Sequence, residues 1–148
     1  MNTAPREPDT RVQLQVPVAR PLLVWALLGL NVVMFIVETA LGGSEQHGVL
    51  ITLGAKVNSL VAVGEYWRLV TPMFLHIGVM HLAFNSYALY ALGPEVEAFY
   101  GRARFAAIYM LTGIAGNVAS YAFTPGLSAG ASTAIFGLIG AQLAFFFR

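Results

Sequence analysis

The sequence predicts an all-α fold, a polytopic helical bundle in a membrane with about four transmembrane helices. Composition is the first reason. Hydrophobic residues make up 57% of the 148 and charged residues only 10%, with a mean hydropathy of +0.70. A soluble domain carries about a quarter charged residues. A soluble fold of this size has too little interior for that much apolar surface, so lipid must be part of its solvent. The second reason is that the apolar residues gather into four runs separated by polar or Gly/Pro-containing turns. Composition also narrows function. The net charge of +1 gives no sign of nucleic-acid binding. The chain has no cysteine, which excludes disulfides, thiolate metal sites and a cysteine nucleophile.

Residues 1–18 are polar and hold Pro5, Pro8 and Pro17, the pattern of a short disordered lead. The membrane domain then runs over 19–148. Its first span is roughly residues 21–41, long enough at about 1.5 Å per residue to cross a ~30 Å core. It is too long for a signal-peptide core and is read as retained. Asn31 and Glu38 interrupt it, with Glu38 near enough to its far end to reach the interface. Residues 45–70 form a connection of mixed polarity. In it Tyr66-Trp67-Arg68 is expected to lie at the membrane boundary, where such aromatics collect.

The second span is placed at 72–92, with Thr71 as N-cap, Pro72 at the first helical position and Gly93-Pro94 as the stop. It carries His76, His81, Asn85 and Ser86. After a polar turn with Glu95, Glu97, Arg102 and Arg104, the third span covers about 105–123. Its Gly113, Gly116, Ala119 and Ser120 permit close helix approach. The fourth runs from Ser132 to Phe147 and gives only about 24 Å of helix, so one end lies below the membrane surface. Irregular backbone at that depth must be buried in protein or line a wet cavity, which puts Ser132 at a cavity floor. With alternating spans, Arg6, Arg11, Arg20, Arg102, Arg104 and Arg148 share one side, and only Lys56 and Arg68 lie on the other. The positive-inside rule then makes the N-terminus cytoplasmic.

Polar residues inside spans mark function or helix pairing. His81 and Asn85, four apart, lie about 40° apart and face one partner. They either bond a neighbouring helix or serve chemistry. His76, on the same predicted helix, points about 140° away from His81 and is expected to be structural and near water. That divergence, with no carboxylate beside the pair, argues against a metal site, and no cofactor is implied. Ser132 is either an N-cap or a nucleophile beside a backbone amide suited to an oxyanion, with Ser128 as a competitor for either role. Glu38, Glu95 and Glu97 are expected to be solvated caps or partners of nearby arginines.

Over residues 52–147 the sequence resembles the rhomboid intramembrane serine proteases. The resemblance is carried by Trp67-Arg68-Leu69-Val70-Thr71, by Phe74-Leu75-His76, and by His76-x4-His81-x3-Asn85. It continues through Leu92-Gly93 to Glu97, Gly101-Arg102-x-Arg104-Phe105, and Gly130-Ala131-Ser132 followed by Ala134-Ile135-Phe136-Gly137. Order and spacing together are highly specific. The resemblance implies a rhomboid-like bundle, with four helices here of the usual six, that cuts transmembrane proteins near the outer face. It implies Ser132 as nucleophile and His81 and Asn85, with the serine's amide, as oxyanion holders. It further implies His76 as a structural neighbour, Phe136 as an aromatic beside the catalytic histidine, and Arg68 and Glu97 as residues that hold loops. The partners implied are the bilayer and transmembrane-helix substrates, in a bacterial cytoplasmic membrane.

Two departures stand against the family pattern. Thr133 follows the serine where the family has glycine, and its β-branch is expected to crowd the helix approach or alter the oxyanion pocket. No histidine follows Ser132, so the family's general base is missing. A serine hydroxyl is a weak nucleophile without a base. The sequence is therefore read as an N-terminal portion of a serine endopeptidase, inactive by itself. The alternative is a non-catalytic rhomboid-like protein that binds client transmembrane helices. A transporter fragment ranks last, for want of intramembrane carboxylates other than Glu38.

Overall fold

A computed structural model describes residues 20–147. The expected disordered lead over 1–18 lies outside the described residues. Within them the chain forms six α-helices and one short β-ribbon: α1 (Leu22–Ala40), α2 (His47–Leu53), β1 (Lys56–Val57), α3 (Asn58–Ala62), α4 (Val79–Tyr100), α5 (Arg102–Phe123), β2 (Leu127–Ser128) and α6 (Ser132–Phe146). Two 3-10 turns, Tyr66–Leu69 and Thr71–Phe74, lie between α3 and α4. The fold is an all-α bundle. Among the described helices α1 and α5 are long and apolar enough to cross a membrane, and α6 is a shorter apolar helix.

α1 and α4 run antiparallel, and a buried carboxylate joins them at each end. The Glu97 oxygens accept the backbone N–H groups of Leu23 (3.1 Å) and Val24 (2.9 Å). At the other end Glu38 Oε1 accepts the N–H of His76 at 3.0 Å. Both carboxylates are fully buried, which corrects the expectation of solvated caps. Each satisfies backbone donors that apolar surroundings would otherwise leave orphaned. Arg102 lies 3.8 Å from Glu97, so the expected arginine partner is present, but on a buried carboxylate.

The second long helix begins at Val79, not Pro72, and runs through Gly93-Pro94 to Tyr100. Residues 71–78 have other partners for their backbone. The Pro72 carbonyl accepts Gly130 N–H at 2.8 Å, and His76 N–H goes to Glu38. Thr71 does not cap. Its hydroxyl donates to the Gly54 carbonyl at 2.6 Å. At Gly93 the backbone of α4 passes so close to α1 that an added Cβ would lie 2.8 Å from Val24 Cγ2. The Gly-Pro pair therefore marks a helix crossing and not a helix end. The end comes at Gly101, whose φ of +77° favours glycine and turns the chain straight into α5.

The segment before α4 is tied to the loop before α6. β1 pairs antiparallel with β2, Lys56 opposite Ser128 and Val57 opposite Leu127. The Lys56 ammonium donates to the carbonyls of Ser120 (3.2 Å) and Thr124 (3.0 Å), closing the C-terminal end of α5. Its burial lowers the ammonium pKa from the usual lysine value. Val24, Leu89, Val96, Phe105, Tyr109, Ile135 and Leu138 form the core among α1, α4, α5 and α6.

Candidate active site

α4 and α6 leave a groove of about 290 Å³ between their N-terminal halves. Its walls are His81, Phe84, Asn85 and Ala88 of α4 and Ser132, Ile135, Phe136 and Ile139 of α6. Both sets follow the three-to-four-residue spacing of one helix face. The walls are mostly apolar, and the polar groups gather at the N-terminal ends of the two helices. Ser132 is the first residue of α6 and Ala131 takes the cap position, with no side-chain capping bond. The N-cap reading of Ser132 is thereby corrected, and the residue lines the groove. Ser128, the competitor, lies in β2 with its hydroxyl 3.0 Å from that of Ser120.

Two backbone features bring His81 to the start of α6. The Gly130 N–H is bound to the Pro72 carbonyl, which holds the approach to α6 against the loop before α4. Gly130 has φ +131° and no Cβ, and the imidazole of His81 occupies that space. An added Cβ would lie 2.5 Å from Cε1 and 2.7 Å from Nε2. Asn85 is buried one turn further along α4, and its Nδ2 donates to the His81 carbonyl at 2.9 Å. One amide hydrogen and the carbonyl oxygen of that side chain are not used in this bond.

His76 lies outside the groove. It sits in the loop before α4, fully buried, with its ring 5.5 Å from that of His81 in an edge-on arrangement. It is not at a wet helix end, and the predicted 140° divergence does not apply, because the two histidines are not on one helix. Burial, reinforced by the neighbouring His81, holds its pKa at about 4, so the ring is neutral at physiological pH. It serves as the wall behind His81, itself fixed through its N–H by Glu38.

The remaining predicted residues fall into two groups. Phe136 is on the groove wall and 70% exposed. Arg68 and Glu97 are remote from the groove. Arg68 Nη1 donates to the carbonyls of Ile51 (2.7 Å) and Ala55 (3.1 Å) and Nε to Glu65 at 2.5 Å, gathering the turn after α2. Glu97 lies sixteen residues beyond His81 on α4, about 24 Å away along the axis. Sequence reasoning missed the supporting parts played by Glu38 and Gly130. The signal for Glu38 was present: it lies seven residues after Asn31, two turns along the same helix face, and both are buried. Gly130 had no comparable signal, because its need for a missing Cβ comes from a ring on another helix.

Thr133 is not on the groove wall. Its side chain turns onto α5, over Gly116, where an added Cβ would collide with it, so the close helix contact expected of its β-branch falls on the approach of α5.

A family model described as the Rhomboid domain matches residues 63–148. The chain is 49% identical over 124 residues to Rhomboid protease GluP of Bacillus subtilis (strain 168), covering 84% of this chain and 24% of that protein. It is 42% identical over 121 residues to RHOMBOID-like protein 9, chloroplastic, of Arabidopsis thaliana, covering 79% and 28%. It is 41% identical over 97 residues to Rhomboid-like protease 2 of Toxoplasma gondii, covering 64% and 34%. The chain thus spans well under half the length of these relatives.

Proposed function

This chain belongs to the rhomboid family of integral membrane proteins, and we propose that it carries the nucleophile side of an intramembrane serine endopeptidase site. Ser132 Oγ attacks the carbonyl carbon of a peptide bond in or beside a substrate transmembrane helix. The oxyanion that forms is held by the Ser132 amide, the His81 imidazole and the free N–H of Asn85. Donors fixed before the reaction in a largely apolar groove act strongly on developing charge. The observation that supports this reading is the single groove in which Ser132, His81 and Asn85 meet.

The proton of Ser132 needs a base. No histidine follows Ser132 in the 148 residues, His47 is exposed at the start of α2, and His76 is walled off behind His81. The base is proposed to come from a part of the protein outside these residues. The 148-residue chain is then expected to react with a fluorophosphonate at Ser132 roughly 10⁶-fold more slowly than the full-length protein, the scale seen when a triad loses a member. In the full-length protein, cleavage of a transmembrane substrate is expected to vanish with Ser132→Ala and to fall about 10²- to 10³-fold with Asn85→Ala, as for loss of one oxyanion donor. Cleavage that survives Ser132→Ala would remove the proposal.

A second reading has one observation in its favour. The groove walls present Phe84 and Phe136, both largely exposed, which suits a rhomboid-like protein that binds client helices without cutting them. Full-length protein that retains a transmembrane client uncut, with retention unchanged by Ser132→Ala, selects that reading.

Membrane placement follows the same logic. α1, α4, α5 and α6 are proposed as four spans, with Ser132 below the outer surface because α6 is only 15 residues, about 22 Å. Arg102 Nη2 donates to the Arg20 carbonyl at 3.4 Å, so those two arginines mark one end of the bundle. Lys56 marks the other, at the far end of α5. The arginine end is proposed as cytoplasmic.

A further inference from the structure

α5 and α6 share the most extensive helix interface of the bundle, and it has a reciprocal form. α5 carries Thr112 and Gly116, one helical turn apart, and α6 carries Thr133 and Gly137 at the same spacing. The helices run antiparallel, so Thr133 rests on Gly116 while Thr112 rests on Gly137. A Cβ added to Gly116 would collide with Cβ, Cγ2 and Oγ1 of Thr133, and one added to Gly137 with the same three atoms of Thr112. Each helix contributes one knob and one hole. The hydroxyls add little across the interface. Thr133 Oγ1 is 3.4 Å from the Gly113 carbonyl and Thr112 Oγ1 is 3.4 Å from that of Ala134, whereas the short bond of Thr112, 2.7 Å, goes to Ile108 in its own helix. The fit is one of shape: a branched β-carbon against bare glycine backbone, where tight packing resists both sliding and turning.

Adjacent residues on a helix point about 100° apart. With Thr133 seated on α5, Ser132 is turned toward the groove shared with α4. We propose that Thr133 is a positioning residue: seated on Gly116, with Thr112 seated on Gly137, it sets the rotation of α6 and aims the Ser132 side chain at the groove holding His81 and Asn85. The threonine that departs from the family's glycine thus has a matching hole on the neighbouring helix. That the aim matters to chemistry rests on the reading of Ser132 as nucleophile. That the clasp sets the aim does not.

The chain has no cysteine, so Ser132→Cys gives a single-thiol reporter. Its rate of reaction with a maleimide, in the 148-residue chain in detergent, measures how the side chain at 132 is presented. Adding Thr133→Gly is expected to change that rate about tenfold, the size of an ordinary coupling between touching residues. Adding Thr133→Val keeps the branch and is expected to stay within about twofold. Gly116→Thr and Thr133→Gly together move the knob to the other helix and are expected to return the rate to within about threefold. Helix content and melting temperature are followed alongside. A Thr133→Gly rate equal to the parent, or a folded swap variant with no recovery, overturns the proposal. In the full-length protein with Ser132 intact, kcat for substrate cleavage is expected to fall and recover with the same substitutions. If thiol rates follow the clasp while the full-length protein cleaves nothing, the nucleophile reading fails and the clasp stands.

Discussion

Glu97 lies fully buried at the C-terminal end of α4, and its two oxygens take the N–H groups of Leu23 and Val24. These amides lie in the first turn of α1, and Pro21 before it offers no side-chain cap. A carboxylate from another helix does the capping, which ties helix formation in α1 to assembly of the bundle. Glu97→Ala leaves two buried donors unpaired and is expected to cost about 2–4 kcal/mol. Glu97→Gln keeps one acceptor oxygen and is expected to cost about half as much. The ion pair with half-exposed Arg102 adds little, so Arg102→Ala is expected to cost under about 1 kcal/mol. Melting temperatures in detergent rank the three, and an Arg102 effect as large as that of Glu97→Ala would assign the stability to charge instead of capping. The residue types were legible in the sequence, but the partners were not. A glutamate near a span end satisfies the same local pattern whether water or a distant amide receives it. Only the repeat of Asn31 and Glu38 on one face of α1 hinted at an inward direction.

Elements were legible where local signals and packing agree. α1 and α5 fall close to their predicted bounds, because long apolar runs ended by Gly-Gly-Ser or Thr-Pro-Gly admit one reading. α4 was misplaced at both ends for one reason: Pro72 and Gly93-Pro94 have local meanings that tertiary contacts overrode. Thr71-Pro72 starts a 3-10 turn whose backbone bonds run to other parts of the chain, and Gly93 is the point where α1 crosses. The crossing can be tested. Gly93→Ala places a Cβ 2.8 Å from Val24 Cγ2 and 3.2 Å from Leu89 Cδ1, and is expected to cost about 1–3 kcal/mol through overpacking. Val24→Ala removes the nearest atoms, so the double variant is expected to be more stable than the sum of the two singles by about 1 kcal/mol. Strict additivity in a double-mutant cycle would show that the glycine serves helix flexibility and not close approach. The start of α6 at Ser132 was legible, and with it the residues that share the groove. How Thr133 faces was not, since its matching hole lies seventeen residues earlier on α5.

At the scale of the molecule, the charged groups separate along the bundle axis. Arg20 and Arg102 meet at one end, and Lys56 caps the opposite end of α5, 22 residues or about 33 Å away. The further span proposed, α4, separates the segment before it from the turn after it; it carries Glu95 and Glu97 and, unlike α1 and α5, is not among the helices apolar enough to cross by composition. The cysteine-free chain allows the crossing to be tested directly. Exposed Ser59, in α3, and exposed Ala103, at the start of α5, flank α4. With α4 as a span and the arginine end cytoplasmic, Ser59→Cys reacts with a membrane-impermeant maleimide in intact cells. Ala103→Cys then reacts only after permeabilisation. The reverse pattern inverts the orientation, and with it moves the mouth of the Ser132 groove to the cytoplasmic face. Labelling of both thiols from one side would mean that α4 does not cross. The groove between α4 and α6 would then have no defined depth in the bilayer, and a substrate helix entering from lipid would have no path to Ser132.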